Sequence, residues 1–172
     1  MPKLHNMRLV EIPPFRAVSS GEGTLARIFD PDAGFSAWVN AHKELLQKHL
    51  FEPQDFLWHE DQNIDRSVWV LAVEDWVTEA DTAPYGIVEF PGGMFLVATA
   101  DEKDAGDLNE TVSGMMDWID HSGVFAYGDF PQSGMCNMPN PDGAIDRALG
   151  IAQQQIFLPL KFREDGNGTD SL

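Results

Sequence analysis

Cysteine is nearly absent from this chain: 172 residues hold one, Cys136. That excludes an internal disulfide, a CxxC redox pair and a cysteine-rich zinc site, and nothing points to an oxidising compartment. Positive charge is scarce as well, since 11 Lys and Arg stand against 28 Asp and Glu, for a formal net charge of −17. Binding to phosphate backbones needs clustered Lys and Arg, so direct nucleic-acid binding is discounted. The same field would draw in cationic small molecules or a basic protein surface. Long apolar runs are missing too. The longest, Val68-Trp69-Val70-Leu71-Ala72-Val73, is far short of the ~20 residues that span a bilayer. The opening Met1-Pro2-Lys3-Leu4-His5-Asn6 lacks the apolar core of a secretory signal. The chain reads as cytoplasmic, with no membrane contact.

Catalytic signatures are also wanting. No GxSxG elbow occurs, Cys136 has no base near it in sequence, and neither Gly21-Glu22-Gly23 nor Gly92-Gly93 has Walker or Rossmann spacing. His42 and His49 share a predicted helix face, but seven residues rise about 10.5 Å, too far for one zinc ion whose ligands each sit ~2 Å away. His59-Glu60 lacks the second histidine of HExxH. The expectation is no metal and no cofactor.

What is present is periodic structure. Residues 7–19 are rich in apolar and β-branched types, broken at Pro13-Pro14, where two backbone donors are lost. Asp30-Pro31 resembles an N-cap followed by proline at the first helical turn, and Phe35, Trp38, Val39, His42, Leu45, Leu46 and His49 follow at helical spacing. A first helix running to about Leu50 is expected. Glu52-Pro53 ends it, and residues 56–60 and 67–73 read as a hairpin; residues 78–84 read as a connector. Residues 85–100 are a strand region interrupted at Pro91-Gly92-Gly93. Asp107 and Glu110 suggest a capping box for a second helix bearing Leu108, Val112, Met115 and Ile119, ended near Ser122-Gly123. A short strand at 135–138, a last strand at 151–162 and a flexible acidic tail from 164 to 172 complete the reading.

The elements repeat. Val10-Glu11-Ile12-Pro13 returns as Val88-Glu89-Phe90-Pro91, and Trp38 is matched by Trp118, a spacing of about 80 residues that marks a duplication. The fold class expected is α+β: two strand-helix-strand-strand halves, about 7–77 and 85–163, related by a pseudo-twofold axis. Helices pack on an antiparallel sheet and a ligand cleft lies between the halves. Five Trp and 11 Phe could supply both the core and a flat apolar pocket, and Met115-Met116 an adaptable wall.

Three segments carry a family likeness. Residues 7–18 (MRLVEIPPFRAV), residues 88–97 (VEFPGGMFLV) and residues 155–161 (QIFLPLK) together resemble the GyrI-like, or AraC-type, effector-binding domain over residues 7 to 163. The resemblance implies a SOUL-related duplicated fold and a bacterial binder of amphipathic, aromatic, often cationic compounds. In many relatives the domain is fused to a DNA-reading helix-turn-helix; 172 residues leave no room for one, so a stand-alone module over residues 1–163 is expected. Other similar proteins inhibit DNA gyrase or hydrolyse strained toxins, which keeps two alternatives open: an acidic module acting on a basic protein partner, and a small hydrolase. Cation-binding relatives place a carboxylate four residues before the proline of the closing strand. Here that position is Gln155, which leaves any counter-charge to Glu60, Glu11 or Glu89. The ligand-binding candidates are therefore Phe35, Trp38, Trp58, Glu60, Trp69, Met115, Trp118, Tyr127, Gln155 and Phe157, in a monomer or dimer.

Overall fold

The computed structural model describes residues 4–47, 55–130, 132–139 and 143–164. Strand β1 (His5–Ile12) stops at Pro13-Pro14 and the chain resumes as β2 (Phe15–Ser19). Two short helices follow, α1 (Leu25–Ile28) and α2 (Phe35–Ala41), then a 3-10 turn over Lys43–Leu45. The hairpin is β3 (Asp55–His59) and β4 (Ser67–Ala72), and α3 (Glu79–Thr82) lies in the connector. The second half runs β5 (Ile87–Phe90), β6 (Gly93–Asp101), α4 (Ala105–His121), β7 (Phe125–Tyr127), β8 (Ser133–Asn137), α5 (Ala144–Leu149) and β9 (Gln153–Phe162).

The strands form one curled antiparallel sheet in the order β1-β6-β9-β8-β3-β4-β2-β5, with β7 also on β9. The order reads the same from either end once β1 is matched with β5, β2 with β6, β3 with β8 and β4 with β9. The expected duplication is thus written into the hydrogen bonding. One refinement emerges: each half gives its first strand to the other, β1 pairing with β6 and β5 with β2. The prolines cause this. Chain breaks at Pro13-Pro14 and at Pro91-Gly92 let the strand on either side change neighbours, and the two breaks touch. Gly92 holds φ +72°, and a Cβ on it would lie 2.4 Å from the Ile12 carbonyl oxygen, so only glycine fits there.

Alternation along the strands sorts the core into two faces. The inner, concave face carries Ile12, Phe15, Phe56, Trp58, Val70, Phe90, Phe95, Val97, Met135 and Phe157. On the outer face α4 covers Leu96, Ala98, Ile156 and Leu158 with Met115 and Ile119, while α1 and α2 cover Val18 and Val73 with Ile28, Phe35 and Val39. Each half has its own helix layer on the same side of a shared sheet.

Some local expectations needed correction. The first helix is not continuous: Asp30 Oδ1 accepts from the backbone N–H groups of Asp32 and Ala33, turning the chain there. Helix α2 then ends at His42, whose φ of −126° is not helical. After the 3-10 turn the chain joins β4, with Gln47 N–H donating to Ala72 O at 3.0 Å. His49, Leu50, Glu52, Pro53 and the tail beyond 164 lie outside the described residues. The cap of α4 is Asp104, which accepts from Gly106 N and Asp107 N, while Asp107 accepts from Asp101 N at 2.8 Å. Gly123, at φ +69°, follows the last turn of α4 as its sequence position suggested.

Candidate inner-face binding site

A ring-packed floor comes first. Phe15, Phe56 and Phe90 stack with centroids 4.7 to 6.1 Å apart, and Phe157 meets Phe56 edge-on at 5.2 Å. Phe130, from the segment between β7 and β8, leans over this floor, 5.8 Å from Phe90 and 5.7 Å from Phe95. Between that segment and the inner face of β2, β3, β4 and β5 lies a cavity of about 300 Å³. Trp58, Val68, Phe90, Pro91 and Phe130 supply its apolar wall, and Glu22, Glu60, Glu89 and Gln132 its polar rim.

The three carboxylates are held differently. Glu22 receives a bidentate pair from Arg66, at 2.7 and 2.8 Å, which holds its carboxyl below the usual glutamate range. Arg66 also bonds Asp61 in the β3–β4 turn. Glu89 faces Arg16 across the β2–β5 pair at 3.7 Å. Glu60 has no ion pair among the described residues; its Oε1 accepts the indole N–H of Trp58 at 2.9 Å. Alternation on β3 puts Trp58 on the inner face, and the 3-10 turn that follows at Glu60–Gln62 brings the carboxylate back beside the indole ring.

Of the ten sequence candidates, Trp58 and Glu60 line this cavity. Phe157 lies in the floor beneath it. Gln155, two residues earlier on β9 and 8% exposed, sits opposite Thr99 and Asn137; its Oε1 has no hydrogen-bond partner among the described residues. Phe35 lines a smaller, 190 Å³ cavity beside α1 with Arg27, Asp30 and Tyr85. Trp38 and Trp69 pack around Phe35 in the outer layer, Trp38 stacked on His42 and Trp69 donating to Asp55 at 2.9 Å. Burial pushes the Asp55 carboxyl up, and its bonds from Trp69 and Asn137 pull it back only in part. Met115 and Trp118 belong to the α4 layer, and Tyr127 lies at 41% exposure on β7. Sequence reasoning did not single out Phe90, Phe130, Val68 or Glu22. Phe90 lay inside the repeated motif and could have been found; Phe130 sits in an aperiodic Gly/Pro-rich stretch that offers no signal.

A histidine–serine contact is present, His59 Nδ1 to Ser67 Oγ at 2.9 Å, but it is not a nucleophile and its base. Ser67 is fully buried and gives its hydrogen to Ile64 O at 2.7 Å, so it accepts from the imidazole. Among the described residues no group of three or more metal-ligating side chains converges. No helix there is long and apolar enough to cross a membrane.

The curled antiparallel sheet with helices packed on one face has the GyrI-like fold. Solved structures of the same shape include the EcmrR C-terminal domain, at TM-score 0.59, 15% identity and coverage of 92% of this chain and 99% of that one. A hydrolase encoded by lin2189 from Listeria innocua matches at TM-score 0.58 and 16% identity, covering 93% of each chain. SAV2435 bound to tetraphenylphosphonium matches at TM-score 0.50 and 12% identity, covering 91% of this chain and 94% of that one. No protein-family model matches the sequence, and no curated protein does.

Proposed function

We propose that this chain is a small-molecule binding module that senses or sequesters an amphipathic, aromatic, positively charged compound in the inner-face cavity. The observation that carries the reading is the Trp58–Glu60 pair. An indole face and a carboxylate that has no cation partner among the described residues stand together at the wall of an aromatic cavity. An aromatic cation gains ring contact and counter-charge there at once, and a partly dehydrated site strengthens both. Glu60 thereby takes the electrostatic part that Gln155 does not fill. The likeness in shape to SAV2435, solved with a lipophilic phosphonium bound, supports the same class of ligand.

Tryptophan quenching and thermal-shift titration with matched cationic and neutral aromatic compounds test this. A cation at ~100 times its Kd should stabilise the protein by about 2.7 kcal/mol, and quenching should be blunted by Trp58→Phe. Silence across the cationic set would sink the reading.

A further inference from the structure

We infer that the Arg66–Glu22 pair sets the charge that the cavity accepts, making it selective for ligands bearing one positive charge over those bearing two. The inference rests on the cation-binding reading above and goes beyond it.

Three carboxylates reach the cavity, and two already have a cation from the protein itself. Glu22 is gripped by Arg66 through two short bonds, and Glu89 faces Arg16 at 3.7 Å. Only Glu60 brings a charge with no protein cation among the described residues. One incoming charge is balanced by Glu60. A second must compete with Arg66 for Glu22, and Arg66 has a further anchor in Asp61 that keeps its guanidinium in place. A planar guanidinium bound at both carboxylate oxygens is difficult for a ligand to displace. The net acidity of the chain would draw in dications more strongly than monocations. Selection against the second charge therefore has to come from the site.

The test compares two probes with the same rings, singly N-methylated bipyridine and the doubly methylated methyl viologen, by calorimetry on the full chain. Wild type should bind the singly charged probe more tightly. Arg66→Gln frees Glu22 and should improve methyl viologen by about threefold to fivefold relative to the single charge, the size of one exposed ion pair. Glu22→Gln breaks the same pair but leaves the Arg66 charge, held by Asp61, behind residue 22, so the ratio should move the other way. Arg66→Lys should restore the wild-type order. A merely structural pair would give both breaking variants the same sign. If both probes bind and the two ratios move together or not at all, the inference is overturned while the cavity stands. If neither probe binds any variant, the cation-binding reading fails and the inference with it.

Discussion

The Trp58 indole N–H donates to Glu60 Oε1 at 2.9 Å, joining an inner-face ring to the carboxylate at the head of the β3–β4 turn. Because Glu60 has no ion pair among the described residues, it is the natural counter-charge for a bound cation. Glu60→Gln keeps shape and an acceptor for the indole but removes the charge. Cation affinity should fall by about fivefold, affinity for a neutral compound of the same shape should change by less than about twofold, and the melting temperature should hardly move. Equal losses for both ligands in calorimetry would assign Glu60 to shape instead of charge.

The aromatic floor and the helix layers behind it should separate under mutation. Phe56 is fully buried among Phe15, Phe90 and Phe157, so Phe56→Ala should cost about 3–5 kcal/mol in urea unfolding and weaken ligand binding by loosening the wall at Phe90. Met115 is as deeply buried but lies on the other side of the sheet. Met115→Ala should cost about 2–5 kcal/mol and leave affinity within about twofold in the folded fraction. If Phe56→Ala does not fold, Phe56→Leu carries the same contrast at lower cost. Loss of affinity in Met115→Ala would place the ligand in the α4 layer.

The architecture was legible because its determinants are local and periodic. The proline breaks, the strand alternation and the repeated Val-Glu-(Ile/Phe)-Pro segments directly encode where strands stop and that they recur. The exchange of β1 and β5 between halves was not legible, since strand partners are chosen by packing at a distance. The long first helix failed for a local reason: Asp30 turns the chain ahead of Phe35 and α2 stops at His42, a break that the apolar spacing from Phe35 to Leu46 conceals, because the same spacing serves one short helix and a 3-10 turn. Three of the four tryptophans chosen for the ligand lie in the helix layers: Trp38 and Trp118 sit on helices, where spacing does not declare which face is met, and Trp69 packs on the outer side of β4. Trp58 was legible in place because β3 is a strand of alternating burial with Glu60 just beyond it.

Asp55 gives a pH signature with a definite sign. Its carboxyl is raised by burial above the ordinary 3.8, so the folded state holds that proton more tightly than the unfolded chain does. Its contribution to stability therefore falls as pH rises from about 3.8 through the folded value. His59 works in the opposite direction: burial lowers it from 6.5, and stability is lost as pH drops below that value because the unfolded chain takes up the proton more readily. Asp55→Asn removes the first effect and keeps the second. Denaturant unfolding from pH 4 to pH 8 should show the stability of Asp55→Asn relative to wild type rising with pH, on top of a constant offset from the altered bonds to Trp69 and Asn137. Parallel curves would mean that Asp55 titrates as it does in the unfolded chain.

Gln155 is the position where the family likeness and the physics of this chain diverge. Its amide is 8% exposed, and Oε1 has no hydrogen-bond partner among the described residues, a state that costs roughly 1–3 kcal/mol. Replacement by methionine, which fills similar space without the acceptor, should therefore stabilise the free protein by about 1 kcal/mol. Gln155→Glu puts a carboxylate into the same buried place and should destabilise by about 3 kcal/mol at neutral pH, with recovery on acidification as the group protonates. The two variants also show whether a ligand reaches this far along β9. If it does, Gln155→Met loses affinity while gaining stability, and Gln155→Glu recovers stability when a cation is added beyond what wild type gains. If binding stays at Trp58 and Glu60, affinity in Gln155→Met is unchanged and added cation stabilises Gln155→Glu no more than wild type. A methionine variant less stable than wild type would show that Oε1 meets a donor after all.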